Sequence, residues 1–454
     1  MAKITFVGAG STVFAKNILG DCMLRPALAD SHFALYDIDP QRLEDSLRIV
    51  GRLNQSINQG RATVTAHLGV ANRREALRGA GYVINAIQVG GYEPSTVIDF
   101  DIPKRYGLQQ TIGDTLGIGG IFRALRTIPV MLDIAADMEA VCPSAWMLNY
   151  TNPMAMITGA MLQGISVKTV GLCHSVQVCA QQILMTTGLW DSVKKLQWKV
   201  AGVNHQAWLL EVTDDGKDLY PEIRRRVGEI REQARQPREQ ARPLAGKMRI
   251  HDLVRLEVLW HFGHYISESS EHLSEYLPYF IRNANPELIE RFKIPLDEYP
   301  RRCVKQIREW AELREGLLNQ AQLSHEMTGE YGSGIIEAME TDTPYRIAGN
   351  VLNRGGLIGN LPAKACVEVP CMVDRNGVQG CYVGDLPEQL AALNRTNINV
   401  HLLAIEAALT RKRDRIYQAA MLDPHTVTEL TLDQIRSMCD DLIAAHGDYL
   451  PSYS

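Results

Sequence analysis

Short apolar runs alternate with longer amphipathic stretches through the first 195 residues of the chain. The runs are rich in β-branched residues, whereas apolar positions in the stretches between them recur at helical spacing. The runs predict strands at 4–7, 33–36, 82–86, 145–148 and 169–172. The stretches predict helices at 14–28, 40–59, 120–140 and 176–187. This alternation is typical of βαβ units, and therefore of an α/β fold around a parallel sheet.

The pattern changes after residue 195. We predict a hairpin from strands at 197–203 and 207–212 with a turn at 214–216, and a solvated helix or loop in the Arg- and Glu-rich segment 222–250. Further elements are predicted as helices at 251–263, 302–321 and 388–420 and as short strands within 344–384. The chain then has two domains, a Rossmann-like doubly wound domain at 1–195 and a C-terminal α+β domain at 196–454.

Charge and composition exclude several classes of protein. The 454 residues carry 47 Lys and Arg against 52 Asp and Glu, a net charge of −5 without basic blocks, which argues against nucleic acid or an anionic membrane as the main partner. The longest apolar runs end well before the roughly 20 residues of a membrane span. A strand follows the N-terminus without a signal peptide, and nine widely spaced cysteines include no CxxC pair, so we expect a cytoplasmic protein with reduced thiols.

A glycine motif directly follows the first predicted strand. Gly8, Gly10, Ser11 and Thr12 lie where a helix begins, and backbone N–H groups at such a position bind a pyrophosphate. The usual third glycine is absent. Asp37 ends the second predicted strand, where an acid accepts hydrogen bonds from a ribose diol and favours NAD over NADP. A plain turn between strand and helix is the alternative at this point.

Polar residues gather at the ends of later strands. Asn149 and Asn152 offer amides suited to sugar hydroxyls or a nicotinamide, although an Asn-Pro step also simply ends a strand. Cys173 and His174 follow the next predicted strand, and His205 lies near the start of the second predicted domain. Thiolate and imidazole both bind divalent transition metals, but ligands so far apart in sequence are no recognised site, and a buried thiol or imidazole explains them as well.

Two further segments are rich in candidate chemistry. In 263–272, the residues His264, Glu268 and His272 share one face if the segment is helical, although a polar helix surface is equally consistent. The glycine-rich segment 111–121 predicts a loop at a helix start, lining a cofactor or substrate crevice.

Taken in order, these motifs resemble the family 4 glycoside hydrolases over essentially the whole chain. The CHSV tetrapeptide at 173–176 is similar to their α-galactosidase (melibiase) branch rather than to the 6-phospho-glycosidase branches. The motifs are GAGST at 8–12, LYDID at 35–39, GGYEP at 90–94, GDTLGIGGIFRALRT at 113–127, LNYTNPM at 148–154, GLCHSVQ at 171–177, GVNH at 202–205, ESSEH at 268–272, LDEYPRRC at 296–303 and DPHT at 423–426.

The resemblance implies a glycosidase that needs NAD and a divalent metal, usually Mn²⁺, and that differs from two-carboxylate hydrolases. It implies oxidation at C3 of the sugar, proton removal at C2, elimination of the C1 substituent and addition of water. By position, the resemblance assigns Cys173 and His205 to the metal and His174 to the general acid. It assigns Asn149 and Asn152 to the substrate, and the glycine motif with Asp37 to NAD.

The resemblance leaves the C2 base and the sugar open. Tyr265 and Glu268 both lie in the relevant segment, and we favour Tyr265. The absence of the phospho-branch tetrapeptide predicts an unphosphorylated α-galactoside of the melibiose or raffinose type. An α-galacturonide or α-glucuronide stays open, since a carboxylate could meet one of the arginines Arg123, Arg126, Arg301 and Arg302.

The sequence also leads to expectations about oligomeric state and about other possible classes of protein. The resemblance implies a homodimer or homotetramer. A 2-hydroxy-acid dehydrogenase is the main alternative class, since it shares the N-terminal architecture and uses NAD but needs no metal-bound Cys173. A non-catalytic NAD-binding regulator would keep the glycine motif and leave 173, 174 and 205 without a role.

Overall fold

Six parallel strands form the first part of the sheet in the computed structural model, which describes residues 1–236, 248 and 252–454. These strands are β1 (Lys3–Val7), β2 (His32–Asp37), β3 (Thr63–Leu68), β4 (Tyr82–Asn85), β5 (Trp146–Asn149) and β6 (Lys168–Gly171). The helices between and after them are α1 (Thr12–Leu24), α2 (Pro40–Asn58), α3 (Arg73–Leu77), α4 (Val97–Arg105), α5 (Gly117–Val141), α6 (Met154–Gly164) and α7 (Ser175–Thr186).

The strand order β3-β2-β1-β4-β5-β6 is that of a doubly wound dinucleotide-binding sheet. The five predicted strands and four predicted helices of this half are confirmed within a few residues. Strand β3 was not predicted. It lies at the edge of the sheet, and none of its six residues is buried, so it lacks the apolar run by which the other strands are recognised.

Antiparallel strands extend the same sheet from β6. They are β7 (Leu196–Val203), β8 (Gln206–Asp214), β9 (Lys217–Asp218), β10 (Tyr265–Ile266), β11 (Tyr345–Leu352), β12 (Cys366–Asp374) and β13 (Gly377–Gly380). The remaining helices are α8 (Tyr220–Arg235), α9 (Leu253–Phe262), α10 (Ser270–Tyr276), α11 (Glu287–Arg291), α12 (Glu298–Asn319), α13 (Gly332–Thr341), α14 (Glu388–Thr410), α15 (Arg413–Ala420), α16 (Thr426–Glu429) and α17 (Leu432–His446).

The predictions for this half hold in part. The hairpin is β7 and β8, and the helix within 222–250 continues to Arg235, whereas 237–247 and 249–251 lie outside the described residues. The helix predicted at 388–420 is wrong as one element. It divides into α14 and α15 at Arg411, whose φ of 61° is incompatible with a continuous helix.

The two halves share one sheet, in the order β10-β8-β7-β12-β11-β6 and onward through the parallel strands. Asn350 of β11 pairs with Gly171 of β6, and Glu368 of β12 pairs with Gly202 of β7. One large apolar core includes residues of both halves. The division at residue 195 stays a prediction. Among the described residues, no helix combines the length and apolarity needed to cross a bilayer.

Candidate active site

The chain turns sharply between β1 and α1. The N–H groups of Gly8 and Ala9 each donate to the carbonyl oxygen of Tyr36 at 3.0 Å. Gly8 has a φ of +87°, and a Cβ there would lie 2.8 Å from the backbone of Ala86. Glycine is therefore required, because the turn needs both a left-handed conformation and close approach of two backbones. The turn places the N-terminus of α1 at the carboxyl end of β1, and anions bind at such helix N-termini.

Asp37 lies beside this turn. Its Oδ2 accepts from the N–H of Gly10 at 2.6 Å and its Oδ1 from the N–H of Asp39 at 2.9 Å. The carboxylate is thus held where a ribose diol can donate to its remaining lone pairs. Ser11 is exposed at the helix start, whereas Thr12 is buried and its hydroxyl lies 3.4 Å from the Gly10 carbonyl oxygen. The Thr12 side chain therefore packs inside the turn. The glycine turn, Ser11 and Asp37 together fit a dinucleotide.

Cys173 and His205, far apart in sequence, lie together in the structure. Cys173 follows β6, His205 occupies the turn between β7 and β8, and Glu268 follows β10. One ligand atom from each lies within 4.8 Å of the other two, and His205 Nε2 is 3.5 Å from Oε2 of Glu268. Thiolate, imidazole and carboxylate are donors that borderline divalent metals accept. The three residues therefore fit a metal ion.

A second set of potential ligands shares His205. Asp114, His205 and His272 also have ligand atoms within 4.8 Å of one another. His272 Nε2 is 3.8 Å from Oδ1 of Asp114, and His272 Nδ1 is 3.8 Å from Oε1 of Glu268. Sequence reasoning assigned neither Asp114 nor His272 to the metal region, although both lie in segments that it singled out. We call Asp114, Cys173, His205, Glu268 and His272 the ligand cluster.

Glu275 fixes the loop that carries Asp114. The carboxylate of Glu275 accepts from the N–H groups of Thr111 and Gly113, each at 2.8 Å. A Cβ at Gly119 would lie 2.3 Å from the carbonyl oxygen of Gly113, so the loop folds tightly against the start of α5. The predicted glycine-rich loop at a helix start is thus present, and it delivers Asp114 to the ligand cluster.

The charges of the cluster act mainly on His205. Burial lowers the pKa of its imidazole, but Cys173, Glu268 and Asp114 outweigh burial and raise the pKa to about 10. Burial raises the pKa of Glu268, but His205 and His272 hold it below its ordinary value. A site that retains a proton on a buried imidazole is one where a divalent cation can replace that proton.

The segment 263–272 is not one helix. Residues 265–266 form β10 and α10 starts at Ser270, so His264 does not share a face with Glu268 and His272. The ring of His264 instead lies 5.4 Å from that of Tyr220. The condition for one shared helical face is therefore not met, because an edge strand interrupts the segment.

The structure does not support Tyr265 as the base. Its side chain is completely buried, and its hydroxyl donates to Oδ2 of Asp252. The guanidinium of Arg255 lies 4.5 Å from the ring centroid. Burial raises the pKa of Tyr265 well above its usual value, against the opposing effect of Arg255. Of the two residues named from the sequence, Glu268 is the one in the ligand cluster, and we correct the preference accordingly.

Tyr276 is a candidate base that sequence reasoning missed. Like Tyr265, it is completely buried, and burial with nearby carboxylates raises its pKa well above the usual value. Unlike Tyr265, it lies at the ligand cluster, since its hydroxyl is 3.5 Å from Nδ1 of His205 and its ring centroid is 5.9 Å from that of His272. Both Tyr276 and His272 lie in α10, four residues apart and on one helical face. Extending the helical spacing beyond His272 is the sequence signal that would have found it.

The two predicted asparagines take different positions. Asn149 is completely buried. Its amide nitrogen donates to the Thr151 carbonyl oxygen and to Thr158 Oγ1, while its Oδ1 accepts from Asn85 and from the N–H of Thr151. No hydrogen-bonding capacity is left for a sugar, so the prediction of direct contact by Asn149 is corrected. Asn152 is partly exposed, and its amide lies 3.3 Å from Oδ2 of Asp114.

The arginines named for a uronate carboxylate are largely occupied. Arg126 forms a two-pronged salt bridge with Asp99, and Arg301 and Arg302 both bind Glu298. The remaining one, Arg123, uses Nε for the Asn152 carbonyl oxygen and Nη1 for the hydroxyl of Tyr299. Arg123 therefore borders the ligand cluster, where the charge of its guanidinium lowers the pKa of Asp114 against the effect of burial.

His174 stands at the edge of the cluster with its side chain 54% exposed. Its Nε2 is hydrogen-bonded to Oε1 of Glu330, a residue that the sequence did not suggest. This bond raises the pKa of the imidazole, while burial lowers it. The ring of Phe14, in α1, lies 6.4 Å from the His174 ring. The start of the dinucleotide-binding helix and the predicted general acid are therefore neighbours.

The fold and the site together define an α/β enzyme with a dinucleotide turn next to a divalent-metal site. The chain belongs to family 4 of the glycosyl hydrolases. The model of the family 4 glycosyl hydrolase matches residues 3–189, and that of the family 4 glycosyl hydrolase C-terminal domain matches residues 200–426. The resemblance found in the motifs is confirmed.

Individual relatives agree with the family. The chain is 59% identical to an Alpha-galactosidase of Bacillus subtilis (strain 168) over 454 residues, covering 100% of both. The crystal structure of lplD from Bacillus subtilis has a TM-score of 0.84 at 25% identity, covering 98% of this chain and 100% of that one. A 6-phospho-beta glucosidase from Thermotoga maritima, solved with manganese, NAD⁺ and glucose-6-phosphate, shares the fold with a TM-score of 0.75 at 21% identity, over 99% of this chain and 100% of that one.

Proposed function

We propose that the chain is an α-galactosidase that uses NAD and a divalent metal, Mn²⁺ foremost, to release terminal galactose from uncharged α-galactosides. The proposal rests on one observation: ligand atoms of Cys173, His205 and Glu268 lie within 4.8 Å of one another, and Cys173 follows β6 at the same end of the parallel strands as the dinucleotide turn after β1. The named Alpha-galactosidase relative, 59% identical over the full length, supports the choice of sugar.

The chain's own residues divide the work. When bound, NAD would supply a hydride acceptor and the metal a Lewis acid for the sugar oxygens. Cys173, His205 and Glu268 would hold the ion, and Gly8, Gly10, Ser11 and Asp37 the dinucleotide. Tyr276 removes the C2 proton, and Glu268 is the second candidate for that step. His174 protonates the departing oxygen.

Charge around the cluster supports an uncharged sugar. The carboxylates of Asp114 and Glu268 belong to the cluster and that of Glu330 binds the adjacent His174, whereas Arg123 already uses Nε and Nη1 for the Asn152 carbonyl oxygen and the Tyr299 hydroxyl. A sugar phosphate needs cationic donors that match a dianion, and a uronate needs at least one free guanidinium or ammonium. Hydroxyl groups, which donate to carboxylates and accept from Asn152, suit the site better.

The decisive test is release of p-nitrophenol from the α-galactoside, α-glucoside and α-galacturonide, with NAD⁺ and Mn²⁺ each supplied or withheld under reducing conditions. We expect hydrolysis of the α-galactoside alone, dependent on both additions and without net formation of NADH. Accumulation of NADH with a 2-hydroxy acid, independent of metal, would replace the proposal by the dehydrogenase alternative. Preference for the α-galacturonide would instead move the enzyme to another branch of the family. The homodimer or homotetramer and the cytoplasmic location stay predictions.

A further inference from the structure

The segment 328–332, just before and at the start of α13, packs against Cys173 and His174. The hydroxyl of Tyr331 accepts from the N–H of Cys173 at 2.8 Å and donates to the Cys173 carbonyl oxygen at 2.6 Å. The adjacent Glu330 binds Nε2 of His174 through Oε1. Two consecutive residues of one segment thus hold the backbone of Cys173 and the side chain of its neighbour.

Glu330 is itself held in place. Its N–H donates to the hydroxyl of Thr328 at 3.2 Å, and Thr328 donates through its N–H and its hydroxyl to the carboxylate of Asp21 in α1, at 2.9 and 2.5 Å. The Glu330 side chain is 10% exposed, and its Oε2 is buried without a hydrogen-bond partner among the described residues. The Glu330 carboxylate is therefore held in one position, unlike an acid on the surface. Its side-chain hydrogen-bond partner is His174.

The hydrogen bond decides which nitrogen of His174 is available. The rings of Phe14 and Tyr150, with centroids 6.4 and 6.2 Å from that of His174, limit the position of the imidazole but distinguish neither nitrogen. A carboxylate on one ring nitrogen fixes the tautomer and leaves the other nitrogen for a reacting atom. In this site Nε2 is bound to Glu330, and Nδ1 has no hydrogen-bond partner among the described residues.

We propose that Glu330 is the positioning residue for His174, holding Nε2–H so that Nδ1 faces the glycosidic oxygen. The inference rests on the proposed function, in which His174 is the general acid. The proton passes from Nδ1 to the glycosidic oxygen as the C1–O bond breaks and its electron pair goes to that oxygen. The imidazole is left neutral with its remaining proton on Nε2. Glu330 accepts that hydrogen bond throughout and neither gains nor loses a proton.

The test compares two substrates that differ only in the leaving group. Melibiose releases a sugar alkoxide and needs a general acid, whereas 2,4-dinitrophenyl α-galactoside releases a stable phenolate and does not. General acid catalysis is worth about 10²–10⁴-fold, so we expect Glu330→Gln to lower kcat for melibiose about 10-fold or more, with KM nearly unchanged, and to affect the dinitrophenyl substrate less than about 3-fold. We expect His174→Ala to show the same selectivity, and the double variant no further loss.

Readouts other than activity separate positioning from general damage. Binding of Mn²⁺, followed by electron paramagnetic resonance, and of NAD⁺, followed by fluorescence titration, should be unchanged in Glu330→Gln. The matched control is Glu326→Gln, at an exposed position in the same loop, with unchanged kinetics on both substrates. If Glu330→Gln fails to fold, Glu330→Asp keeps the charge with a shorter reach and should show a smaller loss with the same selectivity.

Equal losses on both substrates, additive losses in the double variant, or lost Mn²⁺ binding would each overturn the inference and leave the proposed function in place. Failure of the unaltered enzyme to hydrolyse either α-galactoside would overturn the proposed function, and the inference with it.

Discussion

His205 is the residue that both sets of candidate ligands share. Its Nε2 lies 3.5 Å from Glu268 and its Nδ1 lies 3.5 Å from the hydroxyl of Tyr276. A metal-bound imidazole normally donates its other N–H to an outer acceptor. If Nε2 binds the ion, Nδ1–H donates to the Tyr276 oxygen and favours its phenolate form. Burial and the carboxylates of Asp114, Glu275 and Glu268 raise the pKa of Tyr276 well above its usual value, as burial does for Tyr265. The difference between the two tyrosines is therefore one of position, because Tyr276 lies beside His205 whereas Tyr265 is bound to Asp252.

Substitution of the two tyrosines separates these roles. Because general base catalysis contributes about 10²–10⁴-fold, we expect Tyr276→Phe to lower kcat at least about 100-fold and to stop exchange of the C2 proton with solvent deuterium. Tyr265→Phe should exchange that proton normally and lose about 1–2 kcal/mol of stability, since Oδ2 of Asp252 loses its donor while Oδ1 keeps Arg255 and Ser270. The measurements are kcat, mass-spectrometric deuterium uptake at C2, and urea unfolding.

The variant Glu268→Gln distinguishes a metal ligand from a base. As a metal ligand, Glu268 should change Mn²⁺ affinity when substituted, whereas Tyr276→Phe should leave that affinity nearly unchanged. Normal proton exchange in Tyr276→Phe together with loss of exchange, but not of Mn²⁺ affinity, in Glu268→Gln would assign the base to Glu268.

At the scale of elements, the contact between the parallel and antiparallel parts of the sheet is built around a buried acid. Glu368 of β12 is completely buried, and its Oε1 accepts from Asn350 of β11 at 3.1 Å and from Asn204, next to His205, at 3.4 Å. Its Oε2 has no hydrogen-bond partner among the described residues. Burial raises the pKa of Glu368 to about 7, although His205 opposes the rise.

This buried acid makes stability depend on pH in a defined direction. The pKa of Glu368 is raised from its ordinary value of 4.5 to about 7 in the folded protein. Between pH 4.5 and about pH 7, the carboxyl group is therefore protonated in the folded state and ionised in the unfolded state. The unfolded state then binds fewer protons, so stability falls as pH rises through this window. Glu368→Gln removes this loss, worth at most about 3 kcal/mol. We expect the Tm of the variant, relative to that of the unaltered protein, to increase as the pH rises from about 5 to about 8.

The same change at an exposed acid serves as the control. Glu290→Gln, on the surface of α11, should give a Tm that follows that of the unaltered protein at every pH. A constant difference between Glu368→Gln and the unaltered protein across the window would show that Glu368 is ionised throughout.

Elements were predictable where their signal is local. The apolar runs that became β1, β2 and β4 carry their pattern in consecutive residues, and the turn at Gly8 needs no distant contact to be recognised. Short edge strands lack such a local sequence pattern. Strand β3 is half exposed, and β10 has only two residues, which are defined by their pairing with β8, so no local pattern in 263–272 distinguished a strand from a helix.

The site was predictable only in part for a related reason. The family resemblance indicated Cys173, His174 and His205, but Glu330 reaches His174 from a segment more than 150 residues away, as a tertiary contact without any sequence spacing. Asn149 illustrates the converse, because its motif is correct but only the structure shows that all of its hydrogen bonds are satisfied internally.

For the whole molecule, the ligand cluster joins the two predicted domains. Cys173 belongs to the segment before residue 195, whereas His205 and Glu268 belong to the segment after it. The shared sheet holds the two parts side by side, but an ion bound to all three residues would add a direct link between them. Metal binding should therefore stabilise residues on both sides of the predicted domain boundary at residue 195.

Hydrogen exchange measures this link directly. On addition of Mn²⁺ to metal-free protein, we expect slower amide exchange both around 171–176 and around 203–208, together with stabilisation of about 2.7 kcal/mol when the ion is at a hundredfold excess over its Kd. Cys173→Ser should weaken both effects, because a hydroxyl is a poor substitute for a thiolate ligand, whereas Cys381→Ser, at a partly exposed position outside the ligand cluster, should retain them. Protection confined to one segment would mean that the ion is held by one side alone, and the assignment of Cys173 and His205 to a common metal would then be wrong.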